Sequence, residues 1–104
     1  QESVKFGIKF GHDRLPNPAI SAAVHYLCAQ KSRKAADEYF DKLASGIGFS
    51  STRDPAKKVR DTLTRSDRRL TRKQVAAALI QGWNAIRTNK VLRDINLDSV
   101  PRVV

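Results

Sequence analysis

The stretch "LTRKQVAAALIQGWNAIRTNKVL", residues 70–92, decides the fold. Read one way, it holds a single amphipathic helix. Thr71 is its N-cap, and Gln74 stands three residues on. That is the capping-box spacing, in which a hydroxyl and an amide each satisfy a backbone N–H of the other residue. Val75, Ala78, Leu79, Trp83 and Ile86 recur at helical spacing and make one apolar side. Trp83 is the largest apolar group in the chain and is expected to anchor the core.

Read the other way, the stretch breaks at Gly82. Gln74, Ala78 and Gly82 stand four residues apart. That spacing resembles the first helix and turn of repressor-type helix-turn-helix proteins, where a small alanine allows close packing and a glycine turns the chain. Residues 71–93 would then form a DNA reader. Asn84–Arg93 would enter the major groove, and Asn84, Arg87, Asn89 and Lys90 would reach base edges or phosphates. Thr88 falls where an apolar residue is expected, and Trp83 is bulky beside a tight turn. A glycine inside one continuous helix costs only about 1 kcal/mol.

Three more helices lead into this stretch. Asn17 as N-cap and Pro18 at the first helical position start one. Its apolar face is Ile20, Ala23, Val24, Leu27 and Cys28, and it ends near Gln30 and Lys31. Ser32 caps the next, whose stripe is Ala35, Ala36, Tyr39, Phe40, Leu43 and Ala44. Gly46 stands where a left-handed C-cap belongs. A loop follows, with Ile47 and Phe49 expected on the core. Asp54 and Pro55 start a short helix that runs to about Arg65, with Ala56, Val59 and Leu63 inside. Short connections favour antiparallel neighbours.

Before these helices, Val4, Phe6, Ile8 and Phe10 alternate with Lys5, Gly7 and Lys9, the period of a half-buried strand. A lone strand needs a partner, so this arm is a candidate homo-oligomer contact. The expectation is a mainly α, compact four-helix domain with a short strand-like N-terminal arm. Residues 1–16 are the arm, 17–92 the helical domain and 93–104 a tail that frays or forms a short strand.

Composition narrows the class. The chain has 104 residues, 40% of them apolar, enough for one core. It lacks an apolar run of membrane-spanning length. It begins at Gln1 and holds no methionine, which reads as a piece of something longer. Cys28 is the single cysteine, so no intrachain disulfide forms, and a reducing cytoplasm is the simple inference. His12 and His25 are the two histidines. With no acidic or cysteine cluster at ligand spacing, no metal site and no cofactor is expected. No Ser-His-Asp triad and no phosphate loop is legible, so the chain is not expected to be an enzyme. Asp37, Glu38 and Asp41 are expected to pair with Arg33, Lys34 and Lys42.

The net charge of +10 is the strongest global signal and points to a polyanion. It is concentrated. Residues 53–73 hold nine basic and three acidic residues, a net of +6, against +2 for residues 1–52 and +2 for 74–104. The candidate nucleic-acid-binding residues are Lys57, Lys58, Arg60, Arg65, Arg68, Arg69, Arg72 and Lys73. Arg72 and Lys73 stand at a helix start, the wrong end of the helix dipole for a cation. A bound phosphate would reverse that mismatch.

Three stretches together resemble a known region. They are "NPAISAAVHYLCAQKSRKAADEYFDKLASGIGF" (17–49), the Asp54–Pro55 helix start and "LTRKQVAAALIQGWNAIR" (70–87). They look like the helical region that follows the ParB-like (sulfiredoxin-fold) domain in many phage, plasmid and bacterial proteins. The matching residues are His25, Tyr26, Ala36, Glu38, Tyr39, Phe40, Leu43, Gly46, Gly48, Trp83, Asn84 and Ala85. The resemblance implies an accessory helical domain of a DNA-associated protein. The ParB-like catalytic or nucleotide-binding motif lies outside this chain, so no such activity carries over. The expectation is a small basic helical domain that binds nucleic acid, DNA first, through backbone phosphates. The alternatives are the residue 71–93 reader and a protein-interaction or oligomerisation module of a phage- or plasmid-type regulator.

Overall fold

The computed structural model describes residues 18–49, 53–64 and 70–104. Among them are four α-helices: α1 (Pro18–Ala29), α2 (Arg33–Ser45), α3 (Pro55–Thr64) and α4 (Arg72–Arg87). The fold is mainly α. The arm over Val4–Phe10 and the Asn17 cap lie outside the described residues.

The helix ends follow from local chemistry. Ser32 Oγ accepts from the Ala35 N–H at 3.3 Å and starts α2. Asp54 Oδ1 accepts from the Ala56 N–H at 2.9 Å, so Asp54 caps α3 with Pro55 at the first helical position. Thr71 and Gln74 form both halves of the capping box that starts α4. Gly46 ends α2 in the left-handed region, at φ 74°, where a side chain is strained.

α4 packs against α1 and α3, and α2 packs against the same two helices. The four helices thus close a ring. Tyr39 reaches across it, and its hydroxyl donates to the Leu79 carbonyl at 2.7 Å. Its ring meets Phe40 edge-on at 5.2 Å and tilts over Trp83 at 6.1 Å. Burial holds the Tyr39 phenol well above its usual pKa, with Cys28 and Asp54 adding to the rise and the Trp83 backbone N–H opposing it.

Gly82 lies inside α4, not in a turn. A Cβ there would overlap both Val59 Cγ2 and the Tyr39 hydroxyl. The glycine therefore serves close helix approach rather than a change of direction. This corrects the helix-turn-helix alternative, because one helix runs unbroken from Arg72 to Arg87. It then stops. The Lys90 N–H bonds the Ala85 carbonyl at 2.9 Å and the Asn89 N–H bonds the Ile86 carbonyl at 3.2 Å. With Asn89 at φ 52°, this is a Schellman cap. A recognition helix over Asn84–Arg93 therefore does not form.

Two smaller expectations are also corrected. The buried side of α1 is Ser21, Val24, His25 and Cys28, while Leu27 is 47% exposed and Ala23 is exposed. The helix is apolar on nearly every side, so spacing alone favours no face. The choice is made by His25, 1% exposed, which bonds Asp37 Oδ1 at 2.9 Å and stacks edge-on against Phe40. Ile47 lies between two left-handed glycines and is 72% exposed, although Phe49 does pack on the core.

Cys28 is fully buried, and burial pushes its thiol up to about 12. The thiolate is the reactive form. A disulfide reagent at neutral pH should therefore label Cys28 at least about 100-fold more slowly in the native protein than in denaturant. Equal rates would show that α1 does not stay packed.

Candidate nucleic-acid interface

The eight predicted residues do not form one equivalent set. Arg65, Arg68 and Arg69 lie outside the described residues. Arg72 and Lys73 are exposed on the first turn of α4, which contains no acid. The turn is held rigidly. Thr71 Oγ1 accepts from the Gln74 N–H at 3.2 Å, and Gln74 Oε1 accepts from the Thr71 N–H at 3.0 Å. The two cations therefore stand on a fixed scaffold at the positive end of the helix dipole.

Lys57 pairs with Asp61 one turn along α3, Nζ to Oδ2 at 3.1 Å. Such exposed pairs are worth about 0.3–0.5 kcal/mol, so a phosphate can displace the carboxylate. Lys58 is exposed on the same helix. It lies six residues before Thr64, about 9 Å along the axis from the end of α3. The α3 lysines and the α4 start are thus separate points of contact.

Arg60 is a different case, because its guanidinium is engaged within the fold. Its Nη1 donates to the carbonyls of Leu43 and Ala44, the latter at 3.1 Å. The guanidinium also lies against the backbone of Gly46, within 2.9 Å of where a Cβ would be. Arg60 therefore ties α3 to the last turn of α2, where carbonyls lack helical partners and the dipole favours a cation. Arg60→Ala should lower unfolding free energy by about 1.5–3 kcal/mol, the range for hydrogen bonds to a charged group. Urea unfolding checks this. A variant as stable as the parent would return Arg60 to the surface set.

Two of the side chains assigned to a recognition helix, Asn84 and Arg87, are employed elsewhere, as are their neighbours Gln81 and Trp83. Asn84 Nδ2 donates to the Arg102 carbonyl at 2.7 Å, and its Oδ1 accepts from the Val104 N–H at 3.0 Å. Gln81 Nε2 donates to the carbonyls of Asn96 and Ser99, while its Oε1 accepts from the Asn96 N–H at 2.9 Å. Trp83 Nε1 donates to the Val104 carbonyl at 3.1 Å. The Arg87 guanidinium lies 5.4 Å from the Trp83 ring centroid, in cation–π range. The tail is therefore neither frayed nor a strand. It lies along α4 with a turn at Leu97–Asp98, held by side-chain amides, with Leu92, Ile95, Leu97 and Val103 half-buried against the core. Sequence offered one signal for this, amides at Gln81 and Asn84 on the side opposite the apolar stripe. Their partners, being backbone groups, left no trace in the sequence.

His25 is packed into the core between α1 and α2. Ser21, His25 and Asp37 gather on facing sides of α1 and α2. Ser21 Oγ is fully buried and makes no hydrogen bond, and His25 is buried with it. Asp37 joins α2 to α1 through His25 at 2.9 Å, and within α2 it pairs with Arg33 at 3.8 Å. Lys42 pairs not with an acid of its own helix but with the buried Asp54, at 3.3 Å. Among the described residues, no group of three or more His, Cys, Asp or Glu side chains is placed to hold a metal ion. No described helix is long and apolar enough to cross a membrane.

A cleft of about 200 Å³ opens at the far end of the bundle, between Lys42, Asp54, Pro55, Ala85, Ile86, Asn89 and Lys90. Comparisons with known proteins match no family model, no curated protein and no solved structure.

Proposed function

We propose that this domain binds nucleic acid, DNA first, through its phosphates. The observation that carries the reading is the charge of residues 53–73, a net of +6, together with Arg72 and Lys73 exposed on a capped, acid-free helix start. Lys57 and Lys58 add contacts from α3. Arg60 belongs to the fold. The resemblance to the region after a ParB-like domain supports DNA as the polymer and an accessory role in a larger DNA-associated protein.

Phosphate binding releases counterions, so affinity should fall steeply between about 50 and 200 mM salt. Arg72→Ala with Lys73→Ala should weaken binding about tenfold or more. It should also reduce the slope of log affinity against log salt by about 2, roughly 0.9 for each phosphate left unneutralised. The melting temperature should stay within a few degrees, since both side chains are exposed. Fluorescence anisotropy on labelled duplex DNA measures both quantities. Absence of salt-dependent binding by the parent would remove the reading, and an unchanged slope in the variant would remove the α4 start from it.

A further inference from the structure

Two helix starts in this domain are built alike. Ser32 and Thr71 cap with a hydroxyl, and Arg33–Lys34 and Arg72–Lys73 fill the first two helical positions. Neither first turn holds an acid. Lys31 stands just before the α2 cap. Lys31, Lys34, Arg72 and Lys73 are exposed, and the Arg33 side chain is 64% exposed.

The topology places both starts at the same end of the domain. The Tyr39 hydroxyl meets the Leu79 carbonyl, which marks a common level on α2 and α4. Six residues before each stand Arg33 and Lys73, about 9 Å back along each axis at about 1.5 Å per residue. Further along, Lys42 of α2 and Ala85 and Ile86 of α4 line one cleft. The two helices therefore run in the same sense, and both starts lie at the end away from that cleft. The His25–Asp37 bond closes α1 against α2 around the turn that carries Lys31.

We infer that Lys31, Arg33 and Lys34 form a second row of phosphate contacts beside Arg72 and Lys73, and that the partner is a duplex. The inference rests on the nucleic-acid reading above. α2 and α4 stand diagonally in the ring. Neighbouring helices lie about 8–10 Å apart, so the diagonal separates the two rows by about 11–14 Å. One strand's phosphates make a single row. A duplex presents two, across a major groove about 12 Å wide. Along α2, the first carboxylate after the second row is Asp37, already shared between His25 and Arg33, and Glu38 lies one residue further on.

The test uses the full chain, a labelled duplex of about 20 base pairs and a single strand of equal length, across a salt series. Lys31→Ala, Arg33→Ala and Lys34→Ala together should weaken duplex binding about tenfold or more. The salt slope should fall by about 2–3, and the loss on the single strand should be smaller. A charge-preserving variant, Lys31→Arg, Arg33→Lys and Lys34→Arg, should bind like the parent, which separates charge from folding. Lys90→Ala with Arg93→Ala, beyond the cleft end of α4, should leave the slope unchanged.

An unchanged slope in the alanine variant, while Arg72→Ala with Lys73→Ala still weakens binding, would overturn the second row and leave the proposed function intact. Equal losses on duplex and single strand would overturn the duplex assignment. A slope change as large from Lys90 and Arg93 would show contacts spread over the whole surface, which also overturns it. If the parent binds neither polymer, the nucleic-acid reading falls and this inference falls with it.

Discussion

Trp83→Ala should lower the unfolding free energy by about 3–5 kcal/mol, the range for emptying a fully buried large aromatic site. Trp83 is 0% exposed and sits where α4 faces the rest of the core. Its removal deletes the tilted contact with Tyr39 and the platform under Arg87. It also deletes the indole N–H that holds the Val104 carbonyl, so the end of the tail should loosen along with the core. A domain of this size has a total stability of about 5–15 kcal/mol, so the variant should be largely unfolded at modest urea. Trp83→Phe separates the two effects. It keeps an aromatic ring but no N–H, and should cost less overall while still raising amide exchange at the end of the tail. A midpoint shift below about 1 kcal/mol for the alanine variant would mean that Trp83 does not anchor this core.

The second large effect has a sign that helix propensity gets wrong. Alanine is favoured over glycine in a helix interior by about 1 kcal/mol. Gly82→Ala should nevertheless destabilise, by about 1–3 kcal/mol or more, because the new methyl overlaps Val59 Cγ2 and the Tyr39 hydroxyl. Neither neighbour yields easily. Val59 is 0% exposed, and Tyr39 is anchored by its bond to the Leu79 carbonyl. The strain should therefore couple to both. Combining Gly82→Ala with Val59→Ala should cost less than the sum of the single variants, by about 0.5–3 kcal/mol in a double-mutant cycle. Stabilisation by Gly82→Ala would show that α2 and α3 do not approach α4 this closely.

These two residues show where legibility stops. Trp83 was readable as a core anchor because size and helical spacing suffice. Gly82 was readable only as an ambiguity, since a glycine that turns a chain and one that admits a neighbour look alike in sequence. The neighbour here is Tyr39, 43 residues earlier, and only the fold brings it there. The candidate interface divides in the same way. The charge at Arg72 and Lys73, and its conflict with the helix dipole, follows from order along the chain. The withdrawal of Arg60 to the end of α2 does not, because its acceptors are backbone carbonyls that any residue could supply.

The sequence by itself determined four helices and most of their ends. Ser32, Gly46, Asp54, Pro55, Thr71 and Gln74 act on backbone groups within four residues, so their chemistry is local. It also determined the inward stripes of α2 and α3, where polar residues fill the other faces. The tertiary structure decided what local pattern leaves degenerate. It chose the face of the evenly apolar α1 through His25 and Asp37, and it laid the tail along α4 through Gln81 and Asn84. It also set Lys31, Arg33 and Lys34 at the same end of the bundle as Arg72 and Lys73. Contacts between residues distant in sequence depend on how whole helices pack, and neither spacing nor composition records that.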